Sequence, residues 1–287
     1  MPADPIRKTS LNWPHLALLA ALPTWVTVSA PWPPTMRLAV WLLISYIVLG
    51  SAERLKPYRS EWQPDRRALR RDGSVFALNL FADAGVSVAL AAALAAATEA
   101  TATWPLAGQV LLGIGLGELV SYTLHRASHR DGWLWRVHLL HHRPERVNVA
   151  NALTAHPINA MYDKLGRMLP MLVLGLSDEA IVIVTLFTLT QNLAVHANVA
   201  GTLGVLNLVI GSAELHRLHH STQERQAGNF GTTVPWWDLL FGTFRWREAP
   251  ERVGVFEPAR YPDEYALLRL LAWPFSRRAV PAERKNK

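Results

Sequence analysis

The chain has 287 residues, half of them apolar and only 18% charged, with a net charge of +7 and no cysteine. Low charge together with long apolar runs excludes an ordinary soluble domain and points to an integral membrane protein. The absence of cysteine excludes disulfides, thiolate zinc sites, iron–sulfur clusters and cysteine nucleophiles. The basic excess sits in a few loops and at the C-terminus, not along a helix face with interleaved aromatics. That pattern argues against nucleic acid and for anionic lipid headgroups.

Residues 1–13 are polar, with Arg7 and Lys8. The first apolar run, about His15 to Ala30, has a basic start like that of a signal peptide, but Pro31 directly after the small residues argues for a retained helix. Pro31-Trp32-Pro33-Pro34 reads as a turn, and a second run covers about Met36 to Gly50. Both are short for a full span, so flanking residues are expected in the interface. Residues 51–73 form a loop with seven Lys and Arg. A third run, about Ser74 to Thr98, is alanine-rich and interrupted by Asp83. The following loop to Trp104 has no Lys or Arg, and a fourth run covers about Leu106 to Leu124.

The positive-inside rule then places the N-terminus and the loop 51–73 in the cytoplasm and the loops at 31–35 and 99–104 on the other side. The fourth helix delivers His125 to the cytoplasmic face. Twelve tryptophans, several at the ends of apolar runs, suit an interfacial belt. Gly113, Gly115 and Gly117 lack the strand and the Lys-Ser/Thr of a nucleotide loop, so close helix packing is the expected use. Glu118 is an acid deep in a span. It is either a functional group or a hydrogen-bond partner for a neighbouring helix, and Asp83 is open to the same two readings.

Eight of the eleven histidines fall in three boxes: His125-Arg126-Ala127-Ser128-His129, His138-Leu139-Leu140-His141-His142, and His216-Arg217-Leu218-His219-His220. On helices, these i, i+3 and i+4 spacings place each set on one face. Neutral imidazoles suit iron, zinc or copper. A single centre takes three or four protein ligands, so eight imidazoles point to two metals side by side. The alternative for any one box is a set of satisfied histidines at a helix end.

Residues 125–166 are polar, with five arginines that keep them cytoplasmic, and Pro144 ends the helix carrying the second box. Residues 168–196 read as a membrane hairpin that returns to its own side. Ser177-Asp178-Glu179 is the N-cap and acidic first turn of its second arm. A full crossing would strand the third box on the opposite side. Residues 201–215 read as an interfacial or re-entrant piece. Beyond 245 the chain is charged and proline-containing, ending in Arg277, Arg278, Arg284, Lys285 and Lys287.

The predicted fold is therefore an all-α integral membrane protein. About four transmembrane helices lie in residues 1–124, a histidine-rich catalytic region in 125–247 contains the hairpin, and 248–287 form a cytoplasmic tail that is partly mobile.

HxxxH, HxxHH and HxxHH in this order at span ends resembles the fatty acid hydroxylase/sterol desaturase superfamily. Asn229-Phe230-Gly231 and Trp237-Asp238-Leu239-Leu240-Phe241-Gly242-Thr243 resemble its C-terminal signature. The likeness covers about residues 118–245. It implies a membrane-bound di-iron oxygenase that hydroxylates or desaturates a lipid C–H bond with O2. His125, His129, His138, His141, His142, His216, His219 and His220 would be iron ligands. His196 falls where the family has a further histidine. His156, in a His-Pro step, would ligate or hold a neighbouring group. Asn229 and Asp238 would accept hydrogen bonds from ligating imidazoles, which need an acceptor on their other nitrogen.

An unactivated C–H bond needs a metal-borne oxidant. The electrons must come from an external redox protein, which the basic cytoplasmic surface could dock, because the chain lacks iron–sulfur cysteines, a dinucleotide-binding pattern and a fused haem segment. The composition leans towards a bacterial inner membrane. A b-type haem carrier would need axial histidine pairs inside spans. A metal transporter would need midplane polar ligands, for which Asp83, Glu118 and Gln191 are the candidates. A zinc hydrolase would need HExxH, which is absent.

Overall fold

The structure, a computed structural model, describes residues 10–95, 102–130, 132–223 and 225–276. Arg7, Lys8, residues 99–101 of the loop 99–104 and the five basic residues from Arg277 onward lie outside the described residues. Among the described residues the fold is all-helical, with isolated bridges and no strand.

Local chemistry sets the helix boundaries. Helix α1 (Trp13–Val28) starts where the Asn12 side chain accepts the His15 amide, and α2 (Pro34–Leu55) starts with proline in its first turn. Helix α3 (Arg66–Ala95) is capped by Asp65, whose carboxylate accepts the Ala68 amide at 2.7 Å. The second part of the expected loop 51–73 is therefore two turns of helix, with the arginines as its polar head. Pro105 precedes α4 (Leu106–Ser128), and α5 (Trp133–His142) stops just before Pro144.

The hairpin is longer than the sequence suggests. Its first arm, α6 (Pro157–Val173), begins right after His156, and its second, α7 (Asp178–His196), carries the expected Ser177 cap and acidic first turn. At its tip Gly175 sits at φ 61°, a conformation that favours glycine, and its carbonyl accepts the Ala102 amide at 2.7 Å. The hairpin thus reaches the level of the α3–α4 connection. Near the same level, Arg37 at the head of α2 pairs with Glu179 at 2.8 Å. Short helices α8 (Ala213–His219), α9 (Trp236–Leu240) and α10 (Leu267–Ala272) follow.

Among the described residues four helices are long and apolar enough to cross a membrane: α2, α3, α4 and α7. The expected first span is α1, only 16 residues. At 1.5 Å per residue it reaches about 24 Å, short of a hydrocarbon core of about 30 Å. Helix α7 takes its place among the four. Exposed Leu43, Ile47, Phe81 and Val88 give α2 and α3 apolar outer faces suited to lipid.

Leu18, Leu22, Trp41, Leu49, Leu186 and Leu193 bury the contact of α1, α2 and α7. Helix α4 packs on α6 and α7. Its glycines serve close approach, as expected. A Cβ at Gly113 would lie 3.0 Å from the Val184 side chain, and one at Gly117 would lie 3.3 Å from the Arg167 carbonyl oxygen. The described part of the expected tail, up to Ser276, folds back. Leu270 and Trp273 bury against Leu139 and Leu140 on α5.

Candidate metal centre

The three boxes and the hairpin end converge. His125 and His129 come from the end of α4, His138, His141 and His142 from α5, His196 from the last turn of α7, and His216, His219 and His220 from α8 and its C-cap. They form two groups. His125, His129, His138, His142 and His219 make one, and His141, His196, His216 and His220 make the other. Within each, the ligand atoms lie within 4.8 Å of one another. The groups touch: the rings of His142 and His220 stack with centroids 4.3 Å apart, and those of His216 and His219 stack at 5.2 Å.

The ring nitrogens divide into two roles. The Nδ1 atoms of five histidines point outward at oxygen: His125 to the Phe230 carbonyl (2.7 Å), His138 to Asn159 Oδ1 (2.6 Å), His141 to the Thr154 carbonyl (3.1 Å), His196 to the Asn192 carbonyl (2.8 Å) and His219 to the Gly228 carbonyl (2.8 Å). A carbonyl oxygen can only accept, so the proton of the neutral ring sits on Nδ1 and Nε2 is left as a bare lone pair.

The Nε2 atoms of the centre face one another. His141 and His196 bring their Nε2 atoms to 3.3 Å, His196 and His216 to 3.0 Å, His216 and His220 to 3.1 Å, and His142 and His219 to 3.1 Å. Between His141 and His196 neither Nε2 has a proton to give, so the contact is repulsive unless a cation lies between them. Two imidazoles bound to one ion at about 2.1 Å, with an angle of 90–105°, would place their nitrogens about 3.0–3.3 Å apart. His125 Nε2 is buried with no hydrogen-bond partner. The donor set therefore fits a bound metal.

Burial holds these imidazoles neutral. It pushes His141 down to about 4, and it takes His142, His216 and His220 well below the usual histidine range, with neighbouring imidazoles adding to the effect. At neutral pH they keep the lone pairs that ligation requires.

The expected acceptors Asn229 and Asp238 do not touch the imidazoles. They act one layer further out. Asp238 is fully buried and accepts the Phe230 amide at 2.8 Å, the Gly231 amide at 2.7 Å and the Thr243 hydroxyl at 2.6 Å, fixing the loop whose Phe230 carbonyl holds His125. Burial pushes its carboxyl up to about 6 against those three donors. Asn229, at φ 53°, spans the Leu215 and Arg245 carbonyls (3.0 and 2.9 Å) and accepts the Arg245 amide at 2.8 Å.

Glu118 has the neighbouring-helix role. It accepts the Thr232 and Thr233 amides (2.5 and 3.0 Å), the Thr233 hydroxyl (2.6 Å) and Arg167 (2.5 Å), locking that loop and α6 onto α4. His156 lies outside both groups: its Nδ1 caps α6 by accepting the Ile158 amide at 3.2 Å, and its Nε2 meets the Leu271 carbonyl at 3.0 Å. His15 pairs with Gln191 at 2.6 Å, away from the boxes.

Asn159 was not anticipated, and it is the one side-chain oxygen among the five Nδ1 acceptors. Its signal was a polar stripe at four-residue spacing, Asn159, Asp163 and Arg167, along the inner face of α6. Ser121 donates to Asp163 at 2.5 Å, and Arg167 donates to Asp163 at 3.1 Å.

A cavity of about 630 Å³ opens onto the histidines. It is lined by His125, His138, His141 and His196 at one end and by Gly113, Met171 and Val184 towards the other, with Leu38, Leu42, Phe76 and Leu80 along its sides. From Gly113 to His125 is 12 residues of α4, or about 18 Å, enough for a stretched acyl chain. Five imidazoles with their ligand atoms within 4.8 Å leave no flat slot for a haem ring. Asp83, Glu118 and Gln191 do not form a polar track. Asp83 pairs with Lys164 at 2.5 Å, and the other two are satisfied by protein groups.

Comparisons with known proteins point to one family. The fatty acid hydroxylase family profile matches residues 110–243. The chain is 30% identical over 262 residues to an ornithine lipid hydroxylase of Rhizobium tropici, covering 83% of this chain and 77% of that protein. It is 28% identical over 166 residues to alkylglycerol monooxygenase of Danio rerio, covering 56% of this chain and 33% of that protein. It is 29% identical over 124 residues to methylsterol monooxygenase 1 of Danio rerio, covering 42% of each. No solved structure matches.

Proposed function

The chain belongs to the fatty acid hydroxylase family, and from that premise we propose that it is a membrane-bound, non-haem di-iron enzyme that hydroxylates a C–H bond of a membrane lipid with O2. The observation that carries the reading is the convergence of nine imidazoles into two adjacent groups of five and four, with Nε2 atoms facing one another at 3.0–3.3 Å in each. Nitrogen ligands without thiolates suit iron in an oxygen-using centre, and one group for each of two ions accounts for the donor number.

The relatives' names support hydroxylation over desaturation: they are a lipid hydroxylase and two monooxygenases. The overall change is C–H plus O2, two electrons and two protons to C–OH plus water. The bound irons supply the oxidant that no side chain can. The protein's own contribution is positional. The outward Nδ1 bonds fix each ring, the long cavity aligns a chain with the histidines, and its apolar walls keep water from competing.

We assign the ligands as His125, His129, His138, His142 and His219 around one ion and His141, His196, His216 and His220 around the other. His156, Asn229, Asp238 and Glu118 are supports. The basic heads of α3 and the arginines around the boxes favour a cytoplasmic site in a bacterial inner membrane. An external acidic redox protein docking there would deliver the electrons.

The test is purification with metal analysis, followed by lipid profiling under 18O2 of cells carrying wild type, His141→Ala or His219→Ala. About two irons per chain and one labelled oxygen in a lipid made by wild type alone are expected. Full iron content in both variants would overturn the ligand assignment, and a product lacking label would overturn the oxygenase chemistry.

A further inference from the structure

Helices α2 and α3 flank the cavity without forming a packed pair, since α2 packs on α1 and α7 and α3 on α6. The residues each contributes to the cavity follow a helical stripe: Leu38, Ala39 and Leu42 on α2, and Phe76, Asn79 and Leu80 on α3. Ala39 and Leu80 are also exposed on the outer surface, Leu80 at 54%. The cavity therefore opens between two spans whose outer faces suit lipid.

The seam also carries Thr35, Asp83 and Asn79; Asp83 is paired with Lys164, and Asn79 is the one with an orphaned buried atom. Its Nδ2 donates to the Leu153 carbonyl at 3.2 Å and the Ala155 carbonyl at 3.0 Å. Two carbonyls can only be met by the NH2 end, so the amide has one orientation. Its Oδ1 is then fixed, buried, and without a hydrogen-bond partner. Between those two carbonyls in sequence lies Thr154, whose own carbonyl orients His141 at 3.1 Å. The acceptor is thus tied to the segment that positions a proposed ligand, in a cavity wall shared with His138 and His141.

A buried acceptor without a donor is unfavourable and persists where a ligand completes it. We infer that Asn79 is a substrate-positioning residue: a lipid entering between α2 and α3 donates a hydrogen bond from an amide N–H or a hydroxyl on its chain to Asn79 Oδ1, and this bond selects which carbon faces the histidines. The inference rests on the lipid-hydroxylase reading and narrows its substrate to chains bearing a hydrogen-bond donor near the reacting carbon.

The test uses iron-loaded full-length protein and two probe pairs that differ only in the donor. One pair is N-palmitoylglycine against the ester O-palmitoylglycolate, and the other is 3-hydroxypalmitate against palmitate. Retention is read by native mass spectrometry, and kcat and KM are read for oxidation. Wild type is expected to prefer the donor-bearing member of at least one pair by about tenfold. The pair that shows the preference identifies the donor. Asn79→Leu should remove that preference while keeping its iron, and Asn79→Asp should remove it too, because a carboxylate has no donor for the Leu153 and Ala155 carbonyls that fix the acceptor.

Equal retention of both members by wild type, or an unchanged preference in Asn79→Leu, would overturn the inference. A donor preference in retention that Asn79→Leu abolishes, with no oxidation by wild type, would support the binding role and remove the oxygenase reading instead.

Discussion

His138 Nδ1 and Asn159 Oδ1 lie 2.6 Å apart, so one ring of the centre is aimed by a side chain on a different helix. The other four outward bonds end on main-chain carbonyls, which substitution cannot remove. Asn159 is therefore the place where ring orientation is open to mutation. Asn159→Leu should lower iron affinity or turnover by about 10- to 100-fold with the helices intact. Metal analysis against chelator concentration, with circular dichroism as the control, checks this. Unchanged iron retention would show that packing alone aims the ring.

Asp238 offers a second, indirect handle. Asp238→Asn keeps the shape but replaces one carboxylate oxygen with an NH2 group, so the Phe230 amide, the Gly231 amide and the Thr243 hydroxyl can no longer all be accepted. Leaving a buried donor unmet should cost about 1–3 kcal/mol. It should also loosen the Phe230 carbonyl that holds His125. A lower melting temperature together with reduced iron content is expected. A variant with normal iron content would mean that the loop is held without Asp238.

The Glu118–Arg167 pair is buried, with the glutamate side chain fully inaccessible. Removing one partner strands the other, so Arg167→Met should destabilise by about 3–5 kcal/mol. The double variant Glu118→Gln, Arg167→Met should recover part of that loss. Guanidine- or heat-induced unfolding in detergent, run as a double-mutant cycle, measures the coupling. Additive losses would show that the two groups act independently.

Gly117→Ala places a methyl group 3.3 Å from the Arg167 carbonyl oxygen, a backbone atom with little freedom to move. Helices α4 and α6 must then separate slightly, at a cost of about 1–3 kcal/mol. Gly108→Ala on the same helix meets nothing within 4 Å and should be neutral or slightly stabilising. The melting temperatures of the two variants decide, and equal values would refute close packing as the role of Gly117.

Metal removal should act on stability as well as chemistry. Without a cation, facing lone pairs such as those of His141 and His196 repel, and a ligand that binds only the folded state stabilises it by about 4 kcal/mol at a thousandfold excess over its dissociation constant. Chelated protein should therefore melt well below the iron-loaded form, and ferrous iron should restore it. Identical melting curves would mean that the imidazole groups are stable empty.

The imidazoles were legible because histidine is scarce here and the boxes repeat a helical spacing. The helices carrying His125, His141 and His219, and the Ser177 cap of the hairpin, could be read for the same reason: period and cap chemistry are local. The Nδ1 acceptors were largely illegible, because every residue carries a carbonyl and only tertiary packing decides that those of Thr154, Asn192, Gly228 and Phe230 serve. Helix α6 began earlier than expected because its amphipathic first half looks polar until its charged stripe is seen to face inward on α4. The sidechain of Asn79 gave no signal, since one asparagine in an apolar run reads as an interruption.

The nine imidazoles are spread over 96 positions of chain, and His220 is itself held by the Gly254 amide, which donates to its carbonyl at 3.0 Å. During synthesis three of the four histidine-bearing segments, α4, α5 and α7, are therefore already made while the site still lacks three donors. The group of four has only His141 and His196 until α8 is made, so the pair of sites is complete only after α8 has left the ribosome. A product truncated before α8 would keep every long apolar helix and a partial set of histidines. It would sit in the bilayer as a metal-poor relic, which makes metal loading a report on completed assembly.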